Sequence, residues 1–371
     1  MTKLVMNFDL RHPAHLGANG RDTYRAALDM CAWADDHGFA RIGLGEHHQS
    51  PDGYIPAPLV VAGAIGACTR EVRVRLSVLL APLYDPIRLA EEVAVADLCL
   101  SGRLDLGLGV GYVEHDFEMF GADYHRRGKF LDELIPVLRQ AWTGEPFEHR
   151  GTTVRVTPRP VQEPMPIFVG GASRAGIRRA VELADGYFPP GLPIGWEKYR
   201  AQVVALGRPD PGEFAPRGPI FLWVTDDDKH EVWTRLAPHV RHQIDSYAGW
   251  TADAYGEPQG PFVPERDVEN LRQGGAYDVL TPAEVLALVD ELGPHGELHF
   301  NPLLAGIDPD DDHSFRQAVV LGSGNHQETK VRGSRRRLRM RRNGNSAGFL
   351  SRNLSQPHLD GPLLAIANDT E

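Results

Sequence analysis

Cysteine is scarce in this chain, with three among 371 residues, and none of the three lies in a CxxC or CxxH spacing. That excludes a thiolate zinc module and a disulfide framework. Cys31, Cys68 and Cys99 sit among Ala, Leu and Thr, so buried free thiols are expected. Long apolar runs are also missing. Nothing approaches the roughly 20 consecutive apolar residues that span a bilayer, and the opening "MTKLVMNFDLRHPAH" breaks into Arg and His before a signal-peptide core could form. No membrane association and a cytoplasmic location are therefore expected. Positive charge is short as well: 39 Lys and Arg face 50 Asp and Glu, for a net charge of −11, which argues against a nucleic-acid partner. The exception is local. Residues 323–371 carry nine Lys or Arg against four Asp or Glu, and a basic run extends from Lys330 to Arg342.

The remainder of the chain is rich in short apolar strands alternating with helical patterns, the signature of βα units. "KLVMNFDL" reads as the first strand. A helix follows in "DTYRAALDMCAWADDHG", with Asp22 as a cap and Gly38 as the stop, then the strand "FARIGLG". "EVRVRLSVLLAP" and "RLDLGLGVG" are the third and fourth strands, each preceded by a helix. Residues 144–165 hold a small hairpin around "HRGTTVRV". "MPIFVGG", "DGYFPPG" and "PIFLWVTDD" give strands five to seven. After an excursion over residues 251–280, Thr281-Pro282 opens a helix and "ELHFNPLLAG" forms the eighth strand.

This pattern predicts an α/β protein, a (β/α)₈ TIM barrel with insertions after strands 4 and 7, spanning residues 1–315. A doubly wound sheet is the competing topology. Residues 316–371 form an atypical basic tail, expected to be disordered or partner-bound; a basic arm and an aberrant terminus both fit it.

In a barrel the chemistry collects at the C-terminal strand ends. The second strand ends in "GEHH", which places Glu46, His47 and His48 there, while Asp9 and Arg11 follow the first strand. Imidazole titrates near neutrality, so an acid/base role suits the histidines; one structural and one solvated histidine is the plainer alternative. Neighbouring residues on an extended strand point to opposite sides, so His47 and His48 do not share a metal, and none is expected. The fifth strand ends in Gly170-Gly171-Ala172-Ser173-Arg174. Free backbone N–H groups, a hydroxyl and a guanidinium at a helix start suit a phosphate, although a tight turn also needs such glycines. In "GLGVGY", Gly109, Gly111 and Tyr112 either let a flat ring approach the backbone or form a turn without a ligand.

Taken in order, "GEHH", "SVLLAPLYDPIRLAEEVAVADLCLSGRLDLGLGVGY", "RRGKFLDELIPVLRQAWTGEPFEHRG" and "PIFVGGASRAGIRRAVELADGYFP" resemble the bacterial luciferase-like flavin-dependent oxidoreductases over about residues 3–310. The resemblance implies a barrel holding FMN or the deazaflavin F420 at its C-terminal face, usually as a homodimer. It makes His47 the catalytic histidine, with Glu46 setting its tautomer and His48 beside it. Gly170, Gly171, Ser173 and Arg174 become the phosphate grip, and Ser77-Val78 the non-proline cis peptide under the flavin ring. Val110 stands where FMN-using members carry an arginine, which leaves the cofactor choice between FMN and F420 open. The activity implied is a monooxygenase using reduced FMN from a separate flavin reductase, O₂ and a small organic substrate. An F420-dependent hydride transfer, a non-catalytic flavin-binding subunit and a metal-dependent barrel hydrolase are the rivals. Residues 251–280, with Trp250, Tyr255 and Phe262, are the expected lid.

Overall fold

In the computed structural model, residues 2–189, 193, 195–258, 268–273 and 275–309 are described. The basic tail and Phe262 lie outside them, as does part of the 251–280 segment. Along the chain run β1 (Lys3–Phe8), α1 (Gly20–Asp36), β2 (Arg41–Leu44), α2 (Pro58–Cys68), β3 (Arg73–Leu80), α3 (Pro86–Cys99) and β4 (Leu104–Gly109). Next come α4 (Glu114–Phe120), α5 (Arg127–Ala141), β5 (Phe147–His149), β6 (Thr152–Val154), β7 (Ile167–Gly170), α6 (Arg174–Glu182) and β8 (Gly186–Phe188). The series continues with α7 (Trp196–Ala205), β9 (Phe221–Val224), α8 (Lys229–Tyr255), α9 (Val268–Gln273), β10 (Tyr277–Leu280), α10 (Pro282–Leu292) and β11 (Glu297–Phe300).

Seven strands make one parallel sheet in the order β11-β1-β2-β3-β4-β7-β8. Each strand lies beside its successor in the βα series, without the order reversal of a doubly wound sheet, and the sheet curls into a half-barrel. β9 and β10 pair in parallel as a second sheet. Just ahead of β9, Arg217 bridges Glu297 at the start of β11. The sequence assigned eight strands; β10 is an additional one, four residues long, inside the stretch expected to be an excursion. No ladder joins β8 to β10 among the described residues, so the sheet differs from the closed eight-stranded ring. Between α5 and β7, β5 and β6 form the small antiparallel hairpin.

The two faces of the sheet are chemically distinct because strand side chains alternate. Val74, Leu76, Leu104, Leu106, Ile42 and Leu298 are buried in a single apolar cluster with the covering helices. The other face carries Arg41, Arg73, Asp105 and Glu297, joined by ion pairs of 2.9 Å from Arg41 to Glu297 and 2.6 Å from Arg73 to Asp105. Helix starts follow local chemistry. Asn19, not Asp22, caps α1, accepting from the Asp22 N–H at 3.2 Å, because the helix begins at Gly20, ahead of the sequence-based start. Asp85 caps α3 ahead of Pro86, and Thr281 forms a capping box with Glu284 on α10. Of the cysteines, Cys31 is buried, but Cys68 and Cys99 are exposed. They are the last residues of α2 and α3, and the expectation of three buried thiols fails for these two.

Candidate active site

The chain after β2 delivers its three titratable groups to two different places. Glu46 and His48, two residues apart, share a side, and the Glu46 carboxylate collects three donors. His48 Nε2 donates to Oε1 at 3.0 Å, the Tyr84 hydroxyl to Oε1 at 2.7 Å, and the Leu80 N–H to Oε2 at 2.5 Å. These contacts tie the end of β2 to the end of β3. They also correct the sequence expectation: Glu46 orients His48, not His47, because alternation along the chain sends residue 47 to the opposite side.

His47 points into an aromatic enclosure. Its ring stacks on Trp250 with centroids 4.1 Å apart and 13° between the planes, and meets Tyr54, Tyr247 and Tyr112 edge-on at 4.8, 5.7 and 5.9 Å. Burial, the Arg11 guanidinium and His48 push its pKa from 6.5 down to about 3, against a weak opposing pull from Asp52. The ring is therefore neutral at pH 7, and the expectation that it titrates near neutrality is not met.

A stability consequence follows. Unfolded His47 takes a proton near pH 6.5 and native His47 does not until about pH 3, so acidification through that window favours the unfolded state by up to about 1.4 kcal/mol per pH unit. Between pH 6.5 and 5, urea unfolding should show the wild type losing about 1.6 kcal/mol more than His47→Phe. Equal losses in the two proteins would remove His47 as the cause.

Arg11 lies at the base of this enclosure with no exposed surface. Its Nε is 3.7 Å from Asp9 and 3.6 Å from Asp52, and its guanidinium carbon sits 4.8, 5.0 and 5.1 Å from the ring centroids of Tyr54, Tyr247 and Trp250. Burial works to raise the Asp52 pKa, but a 2.7 Å hydrogen bond from His242, the Arg11 charge and the Ser50 hydroxyl hold it well below the carboxylate range. Burial wins at Asp9 and raises its pKa. Sequence reasoning had noted Asp9, Arg11 and Trp250 separately. It missed Asp52, Tyr54, His242 and Tyr247, since the last two come from α8, whose contacts with the β2 loop have no sequence signal. Asp52 and Tyr54, by contrast, stood within a few residues of "GEHH".

The remaining sequence-selected residues form a second, adjoining group. Ser77 and Val78 are joined by a cis peptide. Ser77 is exposed in a strand whose neighbours Leu76, Leu79 and Leu80 are buried, and the β3–β4 register shifts at this point. Val78 is flanked by two glycines: a Cβ on Gly109 would lie 2.3 Å from Val78 Cγ2, and one on Gly170 would lie 2.5 Å from Cγ1. Neither position has room for a side chain, because the Val78 side chain fills the space in front of both glycines. Gly111 turns the β4 loop with φ +72°, and Tyr112 stacks on Tyr255 at 6.1 Å. Val110 is half-buried among apolar neighbours. Gly171 has φ +127°, and its carbonyl accepts from the Tyr187 hydroxyl at 2.7 Å. Ser173 caps α6 by accepting from the Gly176 N–H at 3.0 Å, which leaves its hydroxyl hydrogen free to donate. Arg174 is exposed on the first turn of α6.

Residues 2–289 match the family model described as luciferase-like monooxygenase. The chain belongs to the luciferase-like monooxygenase family. Luciferase-like relatives include the oxygenase component of a flavin-dependent trigonelline monooxygenase from Acinetobacter baylyi, 31% identical over 153 residues, covering 39% of this chain and 42% of that protein. The chain spans about half the length of the curated relatives it matches. Among solved structures, the oxygenating constituent of 3,6-diketocamphane monooxygenase from Pseudomonas putida, in complex with FMN, superimposes with a TM-score of 0.64 at 20% identity. That match covers 87% of this chain and 98% of the other. An F420-dependent secondary alcohol dehydrogenase bound to an F420-acetone adduct gives a TM-score of 0.60 at 17% identity, with the same coverage. At these identities the two structures establish the shared fold. Among the described residues, no helix of this luciferase-like chain is long and apolar enough to cross a membrane.

Proposed function

We propose that the protein is a flavin-dependent monooxygenase acting on a small organic substrate with O₂ and reduced FMN, the latter delivered by a separate flavin reductase in the cytoplasm. The observation that carries this reading is the cis Ser77–Val78 peptide, with Ser77 exposed among buried strand neighbours, on the strand paired with β2, whose end leads into a buried, neutral His47. Ser77, Val78, Gly109, Gly111 and Tyr112 would hold the flavin ring. Gly170, Gly171, Ser173 and Arg174 would hold the phosphate at the start of α6, which carries the Ser173 hydroxyl and the exposed Arg174 on its first turn. Bound reduced FMN would supply the electrons that allow O₂ to oxygenate the substrate.

The chain's own groups would do the rest. His47 keeps an unprotonated ring nitrogen able to accept a proton, Tyr112 and Trp250 shield it from water, and the Glu46–His48–Tyr84 hydrogen bonds hold the strand ends in place. The exposed Val60, Val95 and Leu98 on α2 and α3 are the apolar face we assign to a second copy in a homodimer. One observation favours F420-dependent hydride transfer as a second reading: Val110 offers no charge in the β4 loop, where the resemblance places an arginine in FMN users.

Separate absorbance titrations of the full-length protein with FMN and F420 test both readings, followed by oxygen uptake with reduced FMN and by anaerobic loss of reduced F420. FMN binding with oxygen uptake is expected. Binding and turnover of F420 alone would transfer the assignment to hydride transfer, and binding of neither would end both.

A further inference from the structure

The guanidinium of Arg11 is fully buried, yet Nε, Nη1 and Nη2 have no hydrogen-bond acceptor. Its two carboxylate neighbours stand beyond hydrogen-bond distance and both approach Nε, so the Nη end is without a polar partner. Leaving a buried guanidinium without an acceptor is costly. Aromatic faces flank it but accept no strong hydrogen bond, and His47 stands beside it.

We propose that Arg11 anchors the carboxylate of a singly charged, otherwise apolar substrate, with Tyr54, Tyr247 and Trp250 lining the body of the molecule. This assignment of substrate class rests on the flavin-dependent reading above. The chemistry of the surroundings selects the ligand. A carboxylate presents two coplanar oxygens that match the paired N–H groups of a guanidinium. A phosphate dianion is disfavoured because Asp52, held ionised by His242, already faces the same arginine. Three rings within about 5 Å of the cation favour a flat or apolar body over a polar one.

The test uses calorimetric titration of the full-length protein, without flavin, with benzoate and hexanoate and with their uncharged counterparts benzamide and hexanamide. The acids should bind and the amides should bind at least roughly 30-fold more weakly. Arg11→Met should weaken acid binding by roughly 30- to 100-fold, and Arg11→Lys, which keeps the charge and loses the fork, by about 10-fold. Melting curves accompany each variant, and if Arg11→Met does not fold, Arg11→Lys and the wild-type comparison of acid with amide decide. No acid binding, equal binding of acids and amides, or unchanged acid binding in the variants overturns the proposal. FMN and F420 titrations on the same preparations separate the two readings. Arg11-dependent acid binding without flavin binding leaves the carboxylate site standing and removes the flavin assignment.

Discussion

Glu46→Ala is expected to lower thermal stability by about 6 °C or more, the largest structural effect of any single replacement in the site. Its carboxylate satisfies the Leu80 N–H, the Tyr84 hydroxyl and His48 Nε2 in a buried setting. Removing it leaves three donors without acceptors, each costing about 1–3 kcal/mol. Even with partial relaxation the loss should reach roughly 3 kcal/mol, and a protein of this size shifts by about 2 °C per kcal/mol. Glu46→Gln should fall between the two proteins, since its amide keeps one acceptor oxygen but sets an N–H against the Leu80 N–H. A calorimetric scan that finds Glu46→Ala within 2 °C of the wild type would show the network to be dispensable.

The largest effect on turnover is expected at His47. His47→Asn removes the neutral ring nitrogen and the stack on Trp250, and under the flavin reading it should reduce substrate-dependent oxygen uptake by about 10²- to 10⁴-fold. Flavin binding should change little, because the residues assigned to the flavin, Ser77, Val78, Gly109 and Gly170 among them, do not include His47. A variant retaining more than a tenth of wild-type turnover, with normal flavin binding, would reduce His47 to a packing residue.

Much of the scaffold was legible in the sequence because strand ends and helix starts are local. "GLGEHH" announces a strand end, and Thr281-Pro282 announces a helix. Alternation even contained the right pairing of Glu46 with His48, two residues apart, although the resemblance to the family pointed to His47 instead. The strand β10 was hidden because "YDVL" is too short to stand out from its surroundings. What the sequence could not convey is the enclosure itself. Arg11, Asp52 and Tyr54 gain their roles from His242, Tyr247 and Trp250 on α8, and no spacing rule connects those positions. The neutral state of His47 is likewise a product of enclosure, since burial is the first cause of its depressed pKa.

The distance along the chain between these partners has a consequence for biosynthesis. Asp52 pairs with His242 across 190 residues, and Tyr54 with Tyr247 across 193. At ribosomal rates of about 5–20 residues per second, roughly 10–40 s separate the emergence of the two sides. During that interval Arg11, Asp52 and Tyr54 face water or chaperones rather than each other's final partners, and β1 still awaits β11 along its edge. The enclosure is thus a late product of synthesis, completed when α8 docks, and a nascent chain arrested before α8 would expose a buried-type arginine and an open strand edge together.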